Sequence, residues 1–184
     1  MGSISYLKTP GRTTDQELRA YLAQNLHRGH RVVAQATRPV VGSREWSREL
    51  YAAVEDSEGN VTCYVLLGAS EQGHIIIKCL HEDMGPGAHF DPPARVLAAL
   101  TPTENEYACA FREEMRRAIE NKARAKESAG KVVRFARPVG YGGEHADRTT
   151  FRVQTMSRFT LPEGPTRFVA PKGWWMRPFT VVDD

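Results

Sequence analysis

The densest group of chemically able side chains in this sequence is His81, Glu82, Asp83, His89 and Asp91. Imidazoles and carboxylates gathered at a strand end can ligate a divalent metal or share the work of acid and base. On that reading the chain is a metal-dependent hydrolase or nuclease working from the His81–Asp91 loop. The spacing argues against it. It fits no ligand pattern, and Gly85, Pro86 and Gly87 stand between the histidines, where Gly85-Pro86 favours a tight turn over a helix. The plainer reading has Glu82 and Asp83 bonding backbone N–H groups and both histidines facing water. No catalytic residue, metal ligand or cofactor is therefore assigned.

Nucleophilic chemistry is poorly provided for. Cys79 lies two residues from His81, and strand alternation puts both on one face, but no third partner is defined. No Gly-x-Ser-x-Gly elbow occurs. Cys63 and Cys79 fall in predicted strands as small apolar residues, and Cys109 in a helix as a core or half-buried one. Three widely spaced cysteines form neither a disulfide framework nor a zinc motif, which suits a reducing, cytoplasmic setting. Gly140-Tyr141-Gly142-Gly143 is glycine-rich but lacks the Gly-Lys-Ser/Thr ending of a phosphate loop, so a hairpin turn is expected.

A binding surface has more support. Arg112, Arg116, Arg117, Lys122, Arg124 and Lys126 lie on or near one helix, and Arg134, Arg137, Arg148, Arg152, Arg158 and Arg177 follow. Tyr141, Trp174 and Trp175 add aromatic rings. Guanidinium groups with aromatic faces suit an acidic protein, or the phosphates and bases of a nucleic acid. The surface is assigned to Arg112, Arg116, Arg117, Tyr141, Trp174, Trp175 and Arg177. Against it, Glu113, Glu114, Glu120 and Glu127 interleave with the helix arginines and can pair with them. If Trp174 and Trp175 sit on a strand, one packs inward and the other is free to anchor a partner.

The elements that must position these groups follow from periodicity and turns. Ile4 to Leu7 is extended. Thr14 and Glu17 form a capping box for a helix running to about Leu26. Strands are expected at Arg31–Thr37, Glu49–Asp56, Val61–Leu67 and His74–Leu80, joined by the turns Asp56–Asn60 and Ser70–Gly73, which favours an antiparallel meander. Their long apolar runs require one face on the core and the other at least partly covered by helices. Pro92-Pro93 opens a short helix, Ala94–Leu100. Thr103 and Glu106 then cap a long one, whose face is Tyr107, Ala108, Phe111, Met115, Ala118 and Ile119. Short strands at Lys131–Ala136, Thr149–Thr155, Arg167–Ala170 and Phe179–Val182 suggest a small SH3-like barrel or an appendage sheet.

One run of motifs is distinctive. A strand ending in Lys78-x-Leu80-x-Glu82-x-Met84-Gly85-Pro86 is followed by Pro92-Pro93-Ala94-Arg95-Val96-Leu97. Leu100-Thr-Pro-Thr-Glu-Asn-Glu-Tyr-Ala108 and an arginine-rich helix come next, then Lys131-Val-Val-Arg-Phe-Ala-Arg-Pro138. From about Tyr51 onward this resembles a family of uncharacterised proteins carried on bacterial plasmids, phages and other mobile elements. Phe111-Arg112 stands where that family often has a tryptophan-arginine pair. The resemblance implies a role in transfer, maintenance or evasion of host defence rather than in metabolism, and no particular mechanism.

Composition sets the outer bounds. The chain has 184 residues, 41% apolar and 26% charged, which suits a globular protein. No apolar run approaches the roughly 20 residues of a membrane helix, and no membrane partner is expected. The start is neither a secretory signal nor a myristoylation motif, since Tyr6 occupies the required serine or threonine position. Residues 1–111 carry 10 Lys+Arg against 13 Asp+Glu, and residues 112–184 carry 15 against 9. The expected fold is α+β: an antiparallel meander packed by two or three helices over residues 1–128, then a β-rich appendage over 129–184. The expected function is a non-enzymatic module binding a host or element protein. A nucleic-acid-binding accessory protein is a further alternative.

Overall fold

A computed structural model describes residues 3–40, 43, 45–84 and 92–182. The fold is α+β, with two antiparallel five-stranded sheets and a few helices. The chain divides into two compact units, Met1–Arg117 and Ala118–Asp184.

In the first unit β1 (Ile4–Leu7) precedes α1 (Thr14–Asn25). Then come β2 (Arg31–Pro39), β3 (Arg48–Glu55), β4 (Val61–Glu71) and β5 (His74–His81). Strands β2 to β5 pair in sequence as the expected meander, and β1 adds outside β5, giving the order β1-β5-β4-β3-β2. Alternation along β3 builds two cores. Leu50, Ala52 and Val54 point with Leu66, Ile75 and Ile77 toward Leu18 and Leu22 of α1. Tyr51 and Ala53 point with Cys63 and Val65 to the other side. There they meet Val96 of α2 (Ala94–Leu97) and Phe111 and Met115 of α3 (Glu106–Glu127). Both faces are covered, which accounts for the unbroken apolar run of β3.

Three local details depart from expectation. The capping box of α1 is Thr13 with Gln16, one residue earlier than Thr14 with Glu17. Thr13 is the residue with extended backbone, so its hydroxyl can turn back onto the Gln16 N–H. Glu17, not needed at the cap, is buried instead and accepts the Thr9 N–H at 2.6 Å. The long helix is capped by Asn105, whose Oδ1 accepts the Ala108 N–H at 3.0 Å, while Thr103 Oγ1 accepts the Asn105 N–H at 3.2 Å. After Leu97, α2 gives way to tighter turns in which the Ala99 and Leu100 N–H groups reach carbonyls three residues back.

The second unit takes the last part of α3, then β6 (Val132–Phe135), β7 (Thr150–Thr155), β8 (Arg158–Thr160), β9 (Arg167–Val169) and β10 (Phe179–Val182). Their order is β10-β6-β7-β8-β9, an open row with edges at β10 and β9. Phe135, Phe151, Val153, Phe159, Trp174 and Phe179 pack as one core, with Ala125 of α3 buried among them. The apolar pattern of α3 fades after Ile119, yet the helix continues to Glu127 because Ala125 packs into this core.

Candidate functional site

The strand-end group at the close of β5 proves to be a set of mutual partners. Residues Glu82–Met84 form a 3-10 turn that carries the Glu82 side chain inward, to 1% exposure. Its two oxygens meet Arg112 of α3 in a fork, Oε1 at 2.6 Å from Nη2 and Oε2 at 2.9 Å from Nε. The third arm of Arg112 donates to the Thr101 carbonyl at 2.5 Å. Two residues assigned different roles from sequence, Glu82 as an acid–base candidate and Arg112 as a partner contact, thus satisfy each other. Asp83 lies 2.6 Å from His81 Nδ1, and the His81 ring tilts against that of Tyr64, 4.5 Å between centroids. His89 and Asp91 lie outside the described residues. Among the described residues, no group of three or more His, Cys, Asp or Glu side chains is disposed to hold a metal ion.

The cysteines split by environment. Burial drives the Cys63 thiol well up, and the Glu82 carboxylate adds to it. Burial also raises Cys79, and a raised thiol is the opposite of an activated nucleophile. Cys79 and Tyr64 border a cavity of about 110 Å³ with Tyr21, His27 and His30. Cys109 is exposed rather than core, with its sulfur 3.3 Å from the Thr103 carbonyl oxygen.

The basic and aromatic residues assigned to a partner surface also separate. Arg116 and Arg117 both bond Glu113, at 2.6 and 3.1 Å, and these bonds hold the Glu113 carboxyl below its ordinary range. Trp174 and Trp175 occupy a 3-10 turn, not a strand, so strand alternation does not apply and both are buried, at 0% and 9% exposure. Trp174 Nε1 donates to the Met156 carbonyl at 3.0 Å, and Lys122 Nζ sits 5.5 Å from the Trp175 ring centre. Neither indole is a free anchor. The Gly140–Gly143 stretch is irregular backbone leading into a 3-10 turn at Gly143–His145 rather than a hairpin between strands. Within it Tyr141 is half-buried against Phe151 and Phe168 and donates to the Val169 carbonyl at 2.7 Å; burial lifts its hydroxyl to about 12. Arg177 is exposed and donates to the Val139 carbonyl at 3.0 Å.

A different basic surface comes from strand register. Arg152 of β7 stands opposite Thr160 of β8, and Thr160 stands opposite Arg167 of β9. Arg158 is two residues from Thr160 along β8, and Arg134 of β6 is opposite Thr150 and Thr180. Opposed residues share a face, so Arg134, Arg152, Arg158 and Arg167 line the side away from the phenylalanine core. At the strand positions of this face every charge is a guanidinium. The second unit carries 12 Lys+Arg against 7 Asp+Glu. The signal for this face is in the sequence as four dipeptides: Arg134-Phe135, Phe151-Arg152, Arg158-Phe159 and Arg167-Phe168. Each puts one ring inward and one guanidinium outward, but the strand β8 must be recognised before they line up.

Beside β7 to β9 the turn from Leu161 to Pro165 rises to form a groove of about 620 Å³ over Arg152, Gln154, Arg158, Thr160 and Arg167. Gln154 is the extra residue where the β7–β8 register shifts, and its amide donates to Thr160 Oγ1 at 3.2 Å.

Fold and surface together define a two-sheet α+β protein whose second sheet has an aromatic inner face and an arginine outer face. No helix among the described residues is long and apolar enough to cross a membrane. No protein-family model, curated protein or solved structure matches the chain.

Proposed function

We propose that this chain is a non-enzymatic binding module of a mobile genetic element, which engages a host or element protein in the cytoplasm through the outer face of its second sheet. The observation that carries the reading is the charge of that face: Arg134, Arg158 and Arg167, beside Arg152, which also donates to the Gly130 carbonyl at 3.0 Å, with no carboxylate at its strand positions. Sequence puts the contact on the basic helix and the β appendage together; the proposal keeps the appendage sheet and leaves out the helix, because Arg112 is buried against Glu82 and both Arg116 and Arg117 are shared by Glu113. Support for a binding role over a catalytic one comes from the strand-end group, in which Glu82 and Asp83 are engaged by Arg112 and His81. The resemblance to mobile-element proteins supplies the setting, and interference with host defence is one form the activity takes. The charge excess of the second unit favours one other reading, a nucleic-acid-binding accessory protein.

A tagged pull-down of the full chain from its host, with and without nuclease, tests this. A stoichiometric protein that survives nuclease is the expected result. Loss of the captured protein on nuclease treatment shifts the reading to nucleic acid, and an empty lane removes both.

A further inference from the structure

The groove above β7–β9 has features that narrow what occupies it. Its floor is Thr160, flanked by Arg152 on one neighbouring strand and Arg167 on the other. Arg158 and Arg167 are diagonal neighbours on adjacent strands, about 7–8 Å apart at their backbones. Neither has an ion-pair partner among the described residues, and both are exposed. An extended peptide presents the side chains of one edge about 6.8 Å apart. Two carboxylates at alternate positions of such a peptide therefore fall within reach of these two guanidiniums, each able to form a two-pronged bond.

The wall of the groove is apolar. Pro162 and Pro165 line it above the buried Leu161, and Val169 of the edge strand, 80% exposed, is opposite Arg158. A phosphodiester backbone brings no apolar group to such a wall. Base stacking needs an accessible ring, and the ring that borders the groove, Phe159, is 0% exposed. Glu163 also borders the groove, and its carboxylate is paired with Arg148. A continuous polyanion must pass that carboxylate, whereas a peptide with spaced acids need not.

We infer that this groove holds an extended, acidic and partly apolar peptide segment of the partner, with carboxylates on Arg158 and Arg167 and apolar side chains against Pro162 and Pro165. The inference rests on the binding-module reading and names the chemistry of its contact.

Fluorescence anisotropy on the full chain tests it. The probes are a labelled octapeptide alternating glutamate and valine, its glutamine–valine counterpart, and a mixed-sequence DNA in single- and double-stranded form. The expected result is binding of the acidic peptide, with affinity reduced about tenfold or more by Arg158→Glu or Arg167→Glu. Arg28→Glu, the same charge change at an exposed residue of the first unit, should leave it unchanged. Unchanged circular dichroism melting of each variant establishes that binding, not folding, is read. The inference is overturned if the acidic peptide does not bind, if Arg28→Glu weakens it equally, or if either DNA binds more tightly. In the pull-down, a partner captured equally by wild type and by Arg158→Glu/Arg167→Glu removes the groove and leaves the module standing. A wild-type chain that captures nothing removes the module itself.

Discussion

Replacing Glu82 by glutamine keeps the shape of the side chain and removes its charge. In the wild type the pair is almost free of water: the Glu82 side chain is 2% exposed and that of Arg112 is 9% exposed. Arg112 cannot swing out to solvent without leaving α3's buried face, where Phe111 and Met115 sit in the core. In Glu82→Gln the guanidinium keeps its bond to the Thr101 carbonyl but loses the counter-charge. Removing one member of a buried ion pair costs about 3–5 kcal/mol, because the remaining charge stays desolvated. Urea unfolding of a small domain has a slope of about 1–3 kcal/mol per molar, so the midpoint should fall by roughly 1.5–2.5 M for a slope near the middle of that range.

The double variant Glu82→Leu/Arg112→Met separates a charge effect from a packing effect. Exchanging a whole buried pair for apolar residues of similar volume is often neutral or stabilising. The double variant should therefore be more stable than Glu82→Gln, by about 2 kcal/mol or more if the pair acts as a unit. Equilibrium urea unfolding followed by far-ultraviolet circular dichroism provides the measurement. A midpoint for Glu82→Gln within about 0.3 M of wild type would sink the reasoning, since an unpaired buried guanidinium cannot cost so little. So would a double variant as unstable as the sum of its single changes.

Asp15 accepts two bonds from Arg48, at 2.5 and 2.6 Å, and one from Thr37 at 2.8 Å, and the Arg48 bond chiefly holds its carboxyl below the ordinary value of 3.8. Its folded form thus binds protons less readily than the unfolded chain. The stability it contributes is present above that ordinary value and is lost as pH falls through the depressed one. Asp15→Asn should cost about 1 kcal/mol at neutral pH and nothing at the acid end, read from urea midpoints across the pH range. Gly68 lies under α1, where an added Cβ would stand 3.0 Å from Leu18, a residue at 0% exposure. Gly68→Ala should therefore destabilise by about 1–3 kcal/mol in the same assay, and a neutral result would show that α1 can lift. Titration of native protein with a thiol reagent should modify Cys109 first and the half-buried Cys79 slowly, with Cys63 reacting only on unfolding.

The parts of the fold written in local sequence were legible. Asp56–Asn60 and Ser70–Gly73 specify turns, and two turns between three apolar runs leave little choice but a meander. Gln16 was hidden as a cap partner by the neighbouring Thr14 and Glu17, which fit the same rule one residue later. What depends on distant pairing was not legible. Glu82 and Arg112 are 30 residues apart in sequence, and nothing in either neighbourhood announces the other. Strand β10 returns from Phe179 to lie beside β6, and that return carries Trp174 and Trp175 into the core on a turn. An apolar pair in an unrecognised turn has no periodicity from which its faces can be told.

The two arginine groups of this chain show why counting charges misleads. On α3 the arginines follow glutamates at three- and four-residue spacing, and Glu113 alone engages two of them. These two guanidiniums are engaged within the helix itself. On the second sheet the inward positions must be apolar to close a small core, which accounts for Phe135, Phe151, Phe159 and Phe168. Folding imposes no such demand on the outward positions; threonine would serve, as it does at Thr150, Thr160 and Thr180. Arginines across neighbouring strands instead repel one another, since their separations are comparable to the screening length of about 8 Å at physiological salt. Part of this face is tied into the fold, since Arg152 donates to the Gly130 carbonyl at 3.0 Å, whereas Arg158 and Arg167 are exposed and are the charges that the proposed acidic partner would meet. The repeated pairing of arginine with phenylalanine thus has two sources: the core sets the rings, and the proposed contact would account for the guanidiniums that folding does not require.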